Sequence, residues 1–589
     1  MASVRLGTRA LATLLLAAAG IAGCDASAPT AAPTTAASTQ PPPAATPRAD
    51  ASPAERAAAL AGTLSDEDLV GQVLMPYAYG SSATDVTPGN KAGNQQLAGV
   101  DTPAEMVAKY RLGGLILVGF SADDPTSKNQ GTTNVDNPKQ VRGLTTGLQA
   151  ASAKLAAGSA PLLIGTDQEY GVVTRIKTGV TALPSAMGAG AAEDPRLTED
   201  AWRAAGDELS ALGLNVDFAP VADVLGAADS TVIGSRSFGS DPTKVSAQVA
   251  GAVRGLQASG VAATLKHFPG HGHTSGDSHS TLPSLAQDRR GLDRGDLPPF
   301  VAGIDAGAKL VMSGHLDVRA IDPGTPATFS HKVLTDVLRG QLGFKGVVIT
   351  DGMNMAPAKR WPAGEAAVRA LNAGNDILLM PDKLPEAYNG LLSGLRSGGL
   401  ARARLVEAVA RVLTLKFELA AKPAPAMSTV GSATHRRAAD KLAAAAVTQL
   451  RGACGTALRG PVQVTAAGGR ETTRGLLVNA LRAAGVEVVT SGGTVVHLVG
   501  YGDEPGDLSE GAAVTVAMDT PYLLAKSNSP VLLATYSPSQ SSMTGLAAVL
   551  AGKAQPTGRS PVPVTGLPPA PAPPTRLTKV APRLGRGQT

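Results

Sequence analysis

Four of the eight histidines of this 589-residue chain fall in one stretch, Lys266-His267-Phe268-Pro269-Gly270-His271-Gly272-His273-Thr274-Ser275-Gly276-Asp277-Ser278-His279. Its glycines and proline make it a loop, so it is not the helical H-E-x-x-H arrangement that seats two histidines on zinc. Three chemistries stand open for such a cluster: a metal site, a solvated histidine-rich loop, or an acid–base and binding loop. The Asp-x-His spacing of Asp277 and His279 favours the last. A carboxylate two residues from an imidazole can hydrogen-bond one ring nitrogen, fix the tautomer and raise the basicity of the other, so that His279 gives and takes a proton near neutral pH. No metal is expected.

A proton carrier needs a scaffold that brings it to other reactive groups. Short apolar runs at residues 73–77, 114–118, 162–166, 216–220, 262–266, 309–313, 346–350 and 376–380 read as strands. Amphipathic patterns such as 200–212, 243–258 and 365–373 read as intervening helices. Eight such repeats predict an α/β fold of the (β/α)8 barrel type, with an open parallel sheet as the alternative. Ionisable residues follow the same end of successive strands. Asp167, Gln168 and Glu169 end the third, Asp217 and Asp223 lie near the end of the fourth, Lys266 and His267 end the fifth, His315 follows the sixth, and Asp351 the seventh. In a barrel these ends share one face, where an active site belongs. A smaller α/β sandwich is expected over 432–564, with strands at 462–465, 486–489, 495–498, 513–517 and 531–535 and helices at 476–484 and 542–551. It has no Gly-rich phosphate loop, and Cys454 reads as an ordinary thiol.

The loop Lys266 to Gly272 followed by Asp277-Ser278-His279 resembles glycoside hydrolase family 3, in particular its NagZ-type β-N-acetylglucosaminidases. Asp167-Gln168-Glu169-Tyr170-Gly171-Val172-Val173-Thr174-Arg175 resembles the family's D-Q-E-G-G-x-V-x-R run. Ile233-Gly234-Ser235-Arg236-Ser237-Phe238 resembles its Arg-containing loop, and the run from Gly346 to Met353 resembles its nucleophile strand. The resemblance implies a retaining mechanism: Asp351 attacks the anomeric carbon, and His279, backed by Asp277, serves as acid and then base. It places Asp167, Arg175, Arg236, Lys266 and His267 on the sugar hydroxyls and N-acetyl group, with no metal or organic cofactor. Arg175 and Arg236 also fit plain ion-pair partners, His271 and His273 fit loop-shaping roles, and His315 fits a core or a pocket position. Two residues depart from the pattern, Tyr170 in place of Gly and Val172 in place of an Arg, which puts the pocket shape beyond the first sugar in question.

Arg5 and Arg9 precede a short apolar run that ends in Ile21-Ala22-Gly23-Cys24, a stretch resembling a bacterial lipobox. Residues 1–23 are expected to be a leader, with Cys24 lipidated and membrane-anchored on the extracytoplasmic side. Residues 24–53, almost all Ala, Pro, Thr and Ser, then form a tether reaching about 90 Å at about 3.1 Å per residue. The catalytic barrel is expected over 54–420 and a Pro-rich basic tail over 565–589. A formal net charge of +5 and 3% aromatics give neither a basic patch nor a stacking platform, so nucleic acid is not an expected partner. Two cysteines exclude a disulfide framework. The expected substrates are GlcNAc-containing saccharides such as GlcNAc-MurNAc or muropeptides. A phosphorylase using the same residues is the alternative enzyme, and a non-catalytic glycan-binding lipoprotein the alternative class.

Overall fold

A computed structural model describes residues 51–120, 126, 131–226, 232–274, 276–453 and 458–567. The leader, Cys24, nearly all of the tether, Cys454 and the tail from residue 568 lie outside the described residues. The first described helix, Pro53–Thr63, starts inside the stretch expected to be tether. Ser52 caps it and Glu55 returns the bond in a capping box. The same entry signal recurs: Asp194 caps Pro195–Ala211 and Asp241 caps Pro242–Ala258, each with proline in the first turn, where its missing N–H costs nothing.

Eight barrel strands form where the apolar runs predict them: β1 (Leu74–Met75), β2 (Gly114–Ile116), β3 (Leu163–Thr166), β4 (Val216–Asp217), β5 (Ala262–Phe268), β6 (Leu310–Ser313), β7 (Val347–Thr350) and β8 (Leu378–Leu379). Strands β2 to β7 pair in parallel in chain order, and β1 pairs with β8. The ring closes through a bridge between Ile349 and Ile377 and through the Ile116 N–H donating to the Pro76 carbonyl at 3.0 Å. This closure excludes the open sheet. Alternation along each strand divides the core. Leu310, Met312, Val347 and Ile349 pack inside the barrel with Met75, Ile116 and Phe218, while Val311 and Val348 face the outer helices. Each fully buried aliphatic side chain of this kind contributes about 1.5–3 kcal/mol.

The second α/β domain holds a six-stranded sheet of β9 (Thr448–Arg451), β10 (Val462–Ala466), β11 (Val488–Val489), β12 (Thr494–Val499), β13 (Val514–Ala517) and β14 (Val531–Ala534), in the order β9-β14-β13-β12-β10-β11. All neighbours are parallel except β9 with β14. Helices Glu471–Ala483 and Gln540–Leu550 cover one face through Leu477, Leu481, Met543 and Leu546. The other face, through Val499, Ala517, Leu532 and Ala534, packs on Met187, Val221, Leu225 and Ile233 of the barrel. The sandwich is thus seated on the loop region that follows β3 and β4.

Candidate active site

After β3 the chain turns back in a short ribbon, Gln168–Tyr170 against Val173–Thr174. The Gln168 amide oxygen accepts from the Arg175 and Ile176 N–H groups at 3.1 and 3.0 Å, which brings Arg175 back over the strand end. Asp167 and Glu169, two apart and so on one side of the chain, face a common cation. Lys266 Nζ lies 2.8 Å from Asp167 Oδ1 and 2.6 Å from Glu169 Oε1. Arg236 grips Glu169 with two bonds of 2.7 and 3.0 Å, and Arg175 Nη2 stands 3.4 Å from Asp167 Oδ2. Burial works to raise the Glu169 carboxyl, but Arg236 and Lys266 outweigh it and hold the group well below the ordinary carboxylate range. Lys266 is likewise disfavoured by burial, yet Asp167 and Glu169 keep it above the ordinary lysine value. Of these five side chains Asp167 is the most open, at 18% exposure against 2–3% for the other four.

Strand β5 delivers His267 beside Lys266. Its Nδ1 lies 2.7 Å from Asp223 Oδ2, while Asp223 Oδ1 accepts from the His267 and His271 N–H groups at 3.0 and 2.7 Å. A carboxylate can only accept, so Nδ1 carries the proton and Nε2 is turned toward Arg236, 3.5 Å from its Nη2. Farther along the loop His271 bonds Ser278 and Thr274, and His273 bonds Asp296. His279 Nδ1 lies 2.6 Å from Asp277 Oδ1, which also accepts from the His279 N–H at 2.9 Å. Burial raises the Asp277 carboxyl, but its bonds to His279 win and set it below the ordinary value.

At the end of β7 the Asp351 N–H donates to the Ser313 carbonyl at 3.0 Å, and Asp351 Oδ1 accepts from the Gly352 N–H at 2.7 Å. Behind it, buried His315 bonds the Gly352 carbonyl at 3.0 Å through Nε2 and Thr328 through Nδ1. The carbonyl fixes the proton on Nε2, so His315 is a wedge under the turn that carries Asp351. Burial pushes the Asp351 carboxyl up; the His267, His315 and His279 imidazoles and the Gly352 amide pull it down harder, to about 2. Asp167, Glu169, Arg175, Arg236, Lys266, His267, His279 and Asp351 all line one cavity. An ionised carboxylate and an imidazole with one free nitrogen therefore face the same space, above a floor of charged hydrogen-bonding groups.

Residues 70–415 match the Glycosyl hydrolase family 3 N terminal domain. The chain belongs to glycosyl hydrolase family 3. Beta-hexosaminidase A of Pseudoalteromonas piscicida is 34% identical over 378 residues, 59% of this chain and 61% of that relative, so the match spans less than two thirds of the relative's length. Beta-hexosaminidase LpqI of Mycobacterium tuberculosis (strain ATCC 25618 / H37Rv) is 34% identical over 349 residues, 56% of this chain and 83% of that protein. The solved structure of a glycoside hydrolase family 3 beta-N-acetylglucosaminidase from Paenibacillus sp. str. FPU-7 superposes with a TM-score of 0.74 at 30% identity, covering 85% of this chain and 99% of that one.

In this family 3 chain the residues singled out by sequence gather unevenly. Asp277 supports His279 from the cavity rim. His271 reaches the cavity wall, whereas His273 and His315 do not line it. The four loop histidines bond four different residue sets, and among the described residues no group of three His, Cys, Asp or Glu side chains converges as metal ligands. Asp217, expected at the open end of β4, is instead buried without a place in the cavity. Its Oδ1 accepts from the Gln168 N–H at 2.9 Å, its Oδ2 has no partner among the described residues, and burial drives its carboxyl well above the ordinary value. Glu169 and Asp223 carry more of the site than the sequence assigned to them. The alternation of Asp167 and Glu169 along one strand is a readable signal for the first. Nothing local ties Asp223 to a histidine 44 residues away. Tyr170 and Val172, the two departures from the family pattern, line a separate groove between the domains, not the cavity that Asp351 and His279 share. Tyr170 takes φ +65°, the left-handed region that favours glycine, and its buried ring meets Trp202 edge-on at 5.8 Å, a contact that offsets part of the backbone cost.

Proposed function

We propose that this chain is a retaining, exo-acting β-N-acetylglucosaminidase acting on terminal β-linked GlcNAc of cell-wall saccharides such as GlcNAc-MurNAc and muropeptides. The observation that carries the reading is the sharing of one cavity by Asp351 and His279, whose other ring nitrogen is bonded to Asp277. A carboxylate oxygen of Asp351 attacks the anomeric carbon as the glycosidic bond breaks, and the bonding electrons pass to the leaving oxygen, which takes the proton from His279 Nε2. Water then attacks the same carbon, gives its proton back to Nε2, and frees Asp351. Retaining enzymes ordinarily use two carboxyl groups for these roles; here the second is an imidazole oriented by a carboxylate. Asp167, Arg175, Arg236, Lys266 and His267 hold the sugar hydroxyls and acetamide by charge-assisted hydrogen bonds. The chemistry needs no metal or organic cofactor, because nucleophile and proton carrier are side chains.

The β-hexosaminidase names of the relatives and the Paenibacillus neighbour support the GlcNAc assignment. Lipidation at Cys24 is part of the same proposal and would hold the enzyme on the outer face of the cell membrane, facing the wall. No helix among the described residues is long and apolar enough to cross a membrane.

The test is product analysis of purified protein on GlcNAc-MurNAc, with and without phosphate, alongside Asp351→Ala. Free β-configured GlcNAc, lost in the variant with the fold intact, is the expected result. GlcNAc-1-phosphate formed on adding phosphate would make it a phosphorylase, a route open to a histidine because imidazole does not repel the incoming anion. Near-normal turnover by Asp351→Ala removes that residue from the mechanism.

A further inference from the structure

Among the described residues none of the second domain lines the cavity, yet the second domain reaches the turn that carries Arg236. That turn, Gly234–Arg236, is a single tight helical turn closed by the Arg236 N–H on the Ile233 carbonyl at 2.9 Å and the Ser237 N–H on the Gly234 carbonyl at 3.2 Å. Three of the four positions from Ile233 to Arg236 point in three directions. Ile233 is buried in the apolar cluster shared with Val499, Ala517 and Leu524 of the second domain. The Ser235 hydroxyl donates to Asp519 Oδ1, in the segment that follows β13. Arg236 then turns into the cavity, where it grips Glu169. Past the turn, the Ser240 N–H donates to the Pro561 carbonyl of the second domain at 3.0 Å.

We propose that Asp519 is a positioning residue for the sugar site: through Ser235 it fixes the turn from which Arg236 projects, so that the second domain sets the affinity for the terminal sugar without touching it. The proposal rests on the reading of the cavity as a GlcNAc site. The physical reason is that arginine binding is geometrically demanding. A guanidinium gains its full bond strength only when its planar fork meets its partners squarely. Arg236 is bonded to Glu169 at its far end and to the Val232 carbonyl, and Ile233 is held by apolar packing before the turn. The bond from Ser235, one residue before Arg236, to Asp519 adds a directional anchor to the turn itself.

Asp519→Ala and Ser235→Ala are compared in the full chain. Two readouts are taken: KM, kcat and the inhibition constant of GlcNAc on a β-GlcNAc aryl glycoside, and hydrogen exchange of the amides in residues 233–239. Each variant should raise KM and the GlcNAc inhibition constant about tenfold, the lower end of what a charge-assisted hydrogen bond transmits, with kcat within about threefold. Exchange should quicken in residues 233–239 while the barrel strands keep their protection. The two substitutions together should cost no more than either alone, because they remove one bond. In an Arg236→Ala background, removing Asp519 should leave KM unmoved, since Asp519 acts through that arginine. Asp519→Asn, which keeps an oxygen for Ser235, should restore KM to within about twofold. Unchanged KM, inhibition constant and exchange in folded Ser235→Ala would overturn the proposal, as would a loss confined to thermal stability. If the wild type turned over no GlcNAc glycoside, the GlcNAc reading would fail, and exchange in residues 233–239 together with inhibition by other monosaccharides would still decide the strut.

Discussion

Replacing Asp223 by Asn tests whether the sugar site depends on a histidine tautomer. Asp223 is fully buried and makes three bonds: Oδ1 accepts from the His267 and His271 amides at 3.0 and 2.7 Å, and Oδ2 faces His267 Nδ1 at 2.7 Å. Asparagine can keep its oxygen on the two amides, so the loop path survives. Its NH2 then faces Nδ1, which must accept instead of donate. The ring proton moves to Nε2, toward the Arg236 guanidinium 3.5 Å away. Two donors now confront each other where an acceptor met a donor, and the charge-assisted bond to Nδ1 is gone. Hydrogen bonds to charged groups contribute about 1.5–3 kcal/mol, and about 1.4 kcal/mol is tenfold in rate. Asp223→Asn should therefore lower kcat/KM on a β-GlcNAc aryl glycoside by about 10- to 150-fold, with a smaller fall in melting temperature than Asp223→Ala shows. Asp223→Ala is the contrast: it strands three buried donors at about 1–3 kcal/mol each and should fail chiefly in stability. An Asp223→Asn enzyme with kcat/KM within twofold of wild type would show that the His267 tautomer does not matter and would refute the reasoning.

Removing His279 as His279→Ala should hurt glycosides with poor leaving groups by orders of magnitude more than nitrophenyl glycosides, because only the former need a proton; equal losses across a leaving-group series would deny it the acid role. Glu169→Gln leaves buried Arg236 and Lys266 short of a counter-charge and should cost about 3–5 kcal/mol at pH 7. Because the Glu169 carboxyl is held below its ordinary 4.5, its stabilising contribution is fully present above that value and is lost as the pH falls below it, so urea titrations should show the two proteins converging in acid. Asp217→Asn should behave in the opposite sense. The buried Asp217 carboxyl has its value raised above 3.8, so folding takes up a proton and stability drains away as pH rises past 3.8. The asparagine has no such penalty and should gain up to about 1.4 kcal/mol of relative stability per pH unit above that point; equal stabilities at pH 4 and pH 7 would mean Asp217 is ionised in the fold.

The barrel was legible because its signal is repeated and redundant. Each of the eight apolar runs overlaps its strand, since only continuous apolar stretches can be buried on both faces. Strand β9 and the helix Ala433–Ala446 before it went unread. In Thr448–Arg451 only every second residue is buried, and four residues of alternation are too few to stand out from a helix end. At the site, groups that lie close in sequence could be read together: Asp277 with His279, Lys266 with His267. What the sequence does not carry is a pairing across the barrel, such as Asp223 with His267 or Asp519 with Ser235, because those contacts exist only once separate loops are closed onto one face. Asp217 shows the converse. Its type and strand suggested a site group, but its neighbours Val216 and Phe218 pack inside the barrel, so alternation turns Asp217 the other way and leaves it a buried carboxyl.

Two aspartate–histidine pairs of nearly equal bond length each present their histidine to the cavity, and their surroundings separate their work. Asp223–His267 is sealed, with 0% and 7% side-chain exposure, and grows out of a barrel strand. Asp277–His279 sits on a loop, with 37% and 15% exposure. A proton carrier must exchange with water between the two halves of a retaining cycle, whereas a group that holds a sugar must keep one proton arrangement throughout. Access to solvent serves the first need and defeats the second. The loop pair therefore suits acid–base work and the strand pair suits binding, even though chemically they are the same dyad. Exchanging the burden makes the point testable in principle: an imidazole on β5 could not renew its proton without opening the charged floor formed by Lys266, Glu169 and Arg236, which is the part of the site that has to stay closed.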